Sequence, residues 1–381
     1  MIEIATVYLC IGTMKTGTTS LQSFMRRNAV ELDKQGYCYP QIPVFGKNTH
    51  NRNASFLIYR STNEDENKKK SEEWEVRKKG YEIVAETAQN YENIVLSEEL
   101  IWHHSKRKNF WAEMKEEFER IGCQVKIVVY LRRQDELVQS LWNQNVKSDQ
   151  RWYITFAEFI NEKQYSYFPL NYYRKLNQIA EAVGKENVIV RVYEAGQFGG
   201  SQNNLISDYT SALGIELNDN FKKLDASANQ RMRGNFIEIK RIANSVPEYR
   251  EMSNFLVEYI MKADEAKEEL CPSGKTSLFS YEEQNAFMNQ YLKSNERVAR
   301  EYLGREDGVL FRKPLEELPH LKFPSEELYK DFMMLMVQYI CKQERRIQYL
   351  EEHTHLGMLD SVYNAFPAKV VRKLHKRRKK N

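Results

Sequence analysis

Thr6-Val7-Tyr8-Leu9-Cys10-Ile11 runs directly into Gly12-Thr13-Met14-Lys15-Thr16-Gly17-Thr18-Thr19-Ser20, after which Leu21, Phe24 and Met25 recur at helical spacing. A short apolar, β-branched run, a glycine-bracketed turn and an apolar helical stripe within thirty residues read as strand, loop, helix. Three further apolar runs have the length of buried strands: Ile94 to Leu96, Val125 to Leu131 and Val188 to Val192. Polar or helical stretches separate them, as crossover connections in a parallel sheet require. The fold expected is therefore α/β, three layers around a central parallel sheet, with helical elaborations in the second half.

The turn itself carries the chemistry. A strand that ends in a glycine-containing loop and enters a helix aims several main-chain N–H groups at one point. The helix dipole adds partial positive charge there, so a phosphate or sulfate is the natural ligand. Thr16, Thr18, Thr19 and Ser20 add hydroxyls, and Gly17 supplies the turn.

Gly12 and Gly17 match the spacing of a nucleoside-triphosphate P-loop, and Thr19 stands where its metal-binding Ser or Thr belongs. The residue after Gly17 is Thr18, however, and the lysine has moved inside the loop, to Lys15. No apolar run ends in an Asp placed for magnesium: one leads into Ser97-Glu98-Glu99 and another into Arg132-Arg133. This disfavours a kinase or GTPase, although a P-loop small-molecule kinase stays as one alternative. A non-catalytic nucleotide-binding module is the other.

Lys15-Thr16-Gly17-Thr18-Thr19 resembles the 5′-phosphosulfate loop of sulfotransferases that use 3′-phosphoadenosine-5′-phosphosulfate (PAPS), in particular bacterial, carbohydrate-type members. Arg132 at the end of a strand and Ser140 eight residues later resemble that family's pair for the 3′-phosphate. A strand-terminal guanidinium offers a phosphate a planar fork of donors. Asp135 is expected to cap the helix that carries Ser140. Val188 to Phe198 resembles a later strand near the adenine, with Tyr193 a candidate for stacking and a plain core tyrosine its alternative. Asn285 to Phe311, including Asn295, resembles the C-terminal helix of bacterial members. Gly274 and Lys275 precede it and would approach the 3′-phosphate, but the family's late Arg-Lys-Gly loop is not present in clear form.

The resemblance implies a metal-free, in-line transfer of a sulfuryl group from PAPS to a hydroxyl, leaving adenosine 3′,5′-bisphosphate. Lys15 would stabilise the leaving phosphate, with Lys15, Thr16, Gly17, Thr18, Thr19, Ser20, Arg132, Ser140, Tyr193 and Lys275 holding the cofactor. Glu99 is the expected base, Glu98 its reserve. His103 and His104 titrate near neutrality but read more simply as an exposed pair. The acceptor implied is a carbohydrate or glycolipid, and Tyr153, Tyr165, Tyr167 and Tyr172 are aromatic candidates to stack on sugar rings.

Composition bounds the rest. The 381 residues, 41% hydrophobic and 29% charged, suit a globular chain that needs no staples. No run reaches the roughly 18 apolar residues of a membrane span. Met1 to Thr6 has no basic n-region, so a cytoplasmic protein without a signal peptide is expected. Five scattered cysteines read as reduced thiols, not metal ligands. Between Ala368 and Asn381 stand eight Lys and Arg and no acid; removing these eight from the net +4 leaves the remainder at −4. A mildly acidic body argues against nucleic acid as a partner. The organisation expected is one domain over 1–358 and a basic tail over 359–381, for which peripheral contact with anionic membrane and a solvated tail are equal readings. An apolar stripe from Leu328 through Phe332, Leu335, Met336, Tyr339, Ile340 and Ile347 to Leu350 reads as core cover, with helix-mediated dimerisation as its alternative.

Overall fold

Near-continuous apolar sequence commits β1 (Ala5–Cys10) to the centre of the sheet, because only a strand covered on both faces can bury it all. Val7 and Leu9 are fully buried, and so is Ile11 just beyond. In the computed structural model, which describes residues 4–44, 51–104, 109–148, 150–223, 232–245, 253–270, 275–323 and 326–365, β1 lies between β3 (Asn93–Ser97) and β4 (Cys123–Leu131). The order is β2-β3-β1-β4-β5, with β2 (Tyr37–Cys38) at one edge and β5 (Val188–Val192) at the other. Every pairing is parallel; Val7 faces Ile94 on one side and Val125 on the other. The four expected strands are all present, whereas β2, two residues long, is too short to show as a sequence pattern.

Helices of nine residues or more are numbered here in chain order: α1 (Thr18–Arg27), α2 (Glu66–Ala88), α3 (Phe110–Arg120), α4 (Gln134–Lys147), α5 (Tyr172–Val183) and α6 (Leu205–Leu213). They are followed by α7 (Gly234–Asn244), α8 (Ser253–Leu270), α9 (Tyr281–Asn289), α10 (Leu292–Leu303) and α11 (Glu326–Ala365). Leu21, Phe24 and Met25 of α1 and Tyr209 and Leu213 of α6 bury against Cys10, Val95, Val128 and Tyr130 on one face of the sheet. α3 and α5 pack against β4. Each fully buried aliphatic or aromatic side chain in these layers contributes about 1.5–3 kcal/mol relative to exposure. The charge run Asn63 to Glu73 becomes the N-terminus of α2, capped by the Asp65 carboxylate on the N–H groups of Asn67 and Lys68.

By its contacts the chain gathers into two compact units. One comprises Met1–Ser148, Ile154–Arg231 and Lys275–Leu321, the other Asp149–Tyr153, Met232–Gly274 and Lys322–Asn381. The reading of 1–358 as one domain draws no such division, because no Pro-, Gly- or Ser-rich linker marks it. The second unit contains α7, α8 and α11. Within it Asn235 donates to Asp331 at 2.9 Å, Lys267 reaches Asp331 at 2.8 Å, and Tyr259 donates to the Leu335 carbonyl at 3.2 Å. Residues 366–381, which hold all eight basic residues of the tail, lie outside the described residues, as do Cys271 and Gly274. Among the described residues Cys10, Cys38, Cys123 and Cys341 are free thiols, and no helix is long and apolar enough to cross a membrane.

Candidate functional site

β1, β3, β4 and β5 deliver their carboxyl ends to one edge, where ligands of open parallel sheets bind. Gly12, after β1, sits against β3's continuation: a Cβ on it would stand 3.0 Å from the Glu99 carbonyl oxygen and 3.3 Å from its Cα. A side chain there would need those atoms to give by a few tenths of an ångström and would adopt the strained φ of 105°. Gly17 takes φ 74° as it enters α1, a left-handed conformation that glycine adopts without penalty. Lys15 takes φ 64° without that excuse, a conformation that the surrounding structure must impose.

The loop is internally tied. Thr16 donates its hydroxyl to the Thr13 carbonyl at 2.6 Å, so this hydroxyl shapes the turn instead of facing outward. Thr13 Oγ1 is buried with no hydrogen-bond partner among the described residues. The N–H groups of Gly17, Thr18 and Thr19 have no main-chain acceptor among the described residues, as the first turn of a helix dictates. Thr18 is half-buried, and Thr19 and Ser20 are exposed.

Arg132 joins this loop. Its Nη1 donates to the Lys15 carbonyl at 2.9 Å, its Nε and Nη2 lie 3.3 Å from Glu136, and its guanidinium stands 5.5 Å from the Tyr193 ring centre. Tyr193 in turn lies near Gly17, where a Cβ would stand 3.7 Å from its ring. Thus Lys15, Gly17, Arg132 and Tyr193 are brought together. Glu136, Ser140 and Gln144 follow at steps of four on α4 and share a face; Arg132 reaches the first and Lys15 the last, which sets Ser140 between them.

Gln144 went unnoticed in the sequence, yet its Oε1 accepts from the Lys15 ammonium at 2.6 Å. Its place two helical turns beyond Glu136 is the signal that finds it. Lys147, also unanticipated, is close enough for its charge to act on Lys15. Burial lowers the Lys15 pKa from its ordinary value, the charges of Arg132 and Lys147 lower it further, and Glu99 pulls it back up. Lys15, Arg132 and Lys147 thus lie close enough for their charges to interact, next to a helix start whose N–H groups lack main-chain acceptors among the described residues, an arrangement complementary to an anion. Tyr172, fully buried, donates its hydroxyl to the Arg132 carbonyl at 2.5 Å and so fixes the strand end from behind. No sequence pattern marks that contact.

The two acids after β3 separate cleanly. Glu98 is buried: Ser55 donates to it, the Leu100 N–H reaches it at 3.1 Å and Arg52 stands 3.5 Å away. Burial pushes its carboxyl up, against the pull of Arg52 and Ser55. Glu99 is half-buried on the loop side, 3.4 Å from Gln22 Nε2 of α1, and Gln22 also donates to Ser97 at 3.1 Å.

Other expectations place differently. Arg133, not Asp135, is the N-cap of α4; Asp135 lies inside the first turn, where it binds Arg133 at 2.7 and 3.0 Å and accepts from Gln284. Lys275 is exposed, and no hydrogen bond or ion pair joins it to the loop among the described residues. Leu278, three residues on, donates its N–H to Gln139 of α4. Asn295 exchanges amide hydrogen bonds with Gln134 at 2.8 and 3.1 Å and is a packing residue. His103 is buried 5.4 Å from the Phe168 ring, not exposed; the His104 side chain lies outside the described residues. Of the proposed sugar-stacking tyrosines, Tyr165 and Tyr172 are core, while Tyr167 and Tyr153 are exposed.

Fold and site together define an α/β protein with an anion-complementary loop at the carboxyl edge of a parallel sheet. No family model matches the chain. A protein of Archaeoglobus fulgidus described as uncharacterized is 28% identical over 223 residues, 55% of this chain and 57% of that protein, so the match spans little more than half of either. Among solved structures, a sulfotransferase from Alicyclobacillus acidocaldarius aligns over 57% of this chain and 86% of its own at 14% identity, with a TM-score of 0.31.

Proposed function

We propose that this protein is a PAPS-dependent sulfotransferase. The observation that carries the proposal is the convergence of Lys15, held inside the loop by Gln144, with Arg132, which donates to the Lys15 carbonyl. A magnesium-dependent kinase places its lysine after the second glycine; here the ammonium stands earlier, where charge on a leaving phosphate is neutralised without a metal. The buried unpartnered Thr13 hydroxyl, the free N–H groups from Gly17 to Thr19 and the three cations fit a phosphosulfate group.

PAPS, when bound, supplies an activated sulfuryl group on a phosphate leaving group. The residues would divide the remaining work. Gly17 to Ser20 would hold the 5′-phosphate through main-chain N–H groups and hydroxyls. Arg132 and Ser140 would take the 3′-phosphate, and Tyr193, beside Arg132, the adenine. Glu99 would remove the acceptor's proton, since Glu98 is already engaged by Ser55, Arg52 and Leu100. Lys275 remains a proposed 3′-phosphate contact on the strength of resemblance alone. So do the carbohydrate or glycolipid acceptor, the cytoplasmic location and membrane contact by the tail.

The deciding experiment is a thermal-shift titration with adenosine 3′,5′-bisphosphate against ATP, followed by transfer of radiolabelled sulfate from PAPS. Stabilisation by the bisphosphate without metal is expected. Stabilisation by ATP only with magnesium would replace this reading with a kinase. Bisphosphate binding with no label leaving PAPS in any acceptor extract would leave only a binding module.

Two further results are expected. Arg132→Ala should raise the Kd for the bisphosphate about 10- to 100-fold, the worth of a charge-assisted hydrogen bond or two, with kcat at saturating PAPS changed far less. Calorimetry that finds unchanged affinity removes Arg132 from the cofactor site. The second concerns pH. Lys15 is charged below its pKa, which lies below the ordinary lysine value, and a bound dianion would raise it. Turnover, which needs the charged ammonium, should therefore fall on the alkaline side, and Lys15→Arg should delay the fall. Identical pH profiles for the two proteins would contradict the assignment.

A further inference from the structure

α11 carries two apolar faces, and among the described residues only one is buried. Leu328 and Leu335, 6% and 4% exposed, pack within their own unit, where the Tyr259 ring of α8 stands 5.7 Å from that of Tyr339. The other face presents Tyr329, Met333, Met336, Ile340 and Ile347 at 64, 59, 38, 58 and 48% exposure. With Gln343 between the last two, these positions are spaced four, three, four, three and four residues apart. That is the a/d spacing of a heptad, with Met333, Ile340 and Ile347 at a and Tyr329, Met336 and Gln343 at d.

The helix also continues for 40 residues, and along it Ile340 and Ile347 are exposed with half-buried Gln343 between them. Helices in water draw most of their stability from burying an apolar face, so this stretch calls for a partner. The chemistry of the seam selects which. β-branched residues at a favour a two-stranded coil, and one polar core residue, Gln343, sets a register. Arg346 falls at g and, in sequence, Glu351 at the following e; these are the positions that face each other across a parallel pair and carry opposite charge. An antiparallel pair would set e against e, Glu344 toward Glu351. Phe332 and Tyr349 are exposed beside this seam as well, but a membrane surface would want an apolar face not interrupted by Gln343 and not bordered by Glu344.

We propose that α11 pairs in parallel with α11 of a second copy of this chain, making the protein a homodimer through a coiled coil centred near Ile340 and Gln343. Sedimentation equilibrium of the full chain at about ten micromolar should give twice the chain mass, falling to one chain in Ile340→Glu/Ile347→Glu. A single-chain mass for the unaltered protein, or a dimer that survives both substitutions, overturns the proposal. Should the double variant misfold, oxidative cross-linking decides. On a Cys341→Ser background, Gln343→Cys should give a covalent dimer and Gln338→Cys, at the outer f position, should not. Equal cross-linking at both, or none at 343, overturns it equally. If the chain is monomeric and pellets with anionic phosphatidylglycerol vesicles through Ile340 and Ile347, lipid covers the seam and the proposal fails.

Discussion

Lys15→Ala should lower kcat for sulfuryl transfer about 10³-fold while leaving the Kd for adenosine 3′,5′-bisphosphate within a few-fold. Removing one preorganised group from the place where charge develops costs about that much, because the group acts in the transition state and not in the bound ground state. The backbone gives the test a clean reading. Lys15 already occupies a left-handed conformation, and alanine there meets the same steric cost, so the loop should keep its shape. Gln144 loses its ammonium partner but can turn to water, so global stability should change little. Steady-state kinetics with PAPS, paired with bisphosphate calorimetry on the same preparation, separate the two effects. Full turnover by a correctly folded Lys15→Ala protein would end the proposed role; loss of both binding and turnover would recast Lys15 as a binding residue.

Glu99→Gln should cost at least about 10²-fold in kcat, the usual worth of a positioned general base, again with cofactor affinity retained. The isosteric amide keeps the side chain beside Gln22 but cannot take a proton. Activity of the variant should rise with an acceptor whose hydroxyl is more acidic, since such a hydroxyl needs less help in losing its proton. Glu98→Gln serves as the contrast. That carboxyl is buried against Ser55, Arg52 and the Leu100 N–H, so its substitution should lower the melting temperature more than it lowers kcat. A Glu99→Gln protein as fast as the parent would leave the base elsewhere.

The central strand and its loop were legible in the sequence for a simple reason. A parallel strand buried on both faces has to be apolar throughout, and the glycines of a tight anion loop have no substitute. Arg132 and Ser140 were named through their resemblance to a family pair, and the structure sets Arg132 beside the loop and Ser140 on the α4 face between Glu136 and Gln144. Gln144 was recoverable by carrying the same periodicity one turn further. Tyr172 was not, because a tyrosine at a helix start that donates to a strand-end carbonyl looks in sequence like any other core aromatic. Asp135 misled for a related reason: an acid near a helix start suggests a cap, and only the fold shows it holding Arg133 and Gln284 instead. The long stripe of the second half mixed two faces, since Leu328 and Leu335 go inward while Ile340 and Ile347 do not.

The contact of Gly12 with the Glu99 main chain gives the site a particular mechanical character. The cradle and the acid are carried by two neighbouring strands whose backbones touch, so the gap between them is machined into the sheet like the jaws of a fixed gauge. A methyl at that joint would push the two backbones apart by a few tenths of an ångström. Change at this site would accordingly fall on the surrounding loops and leave this joint alone.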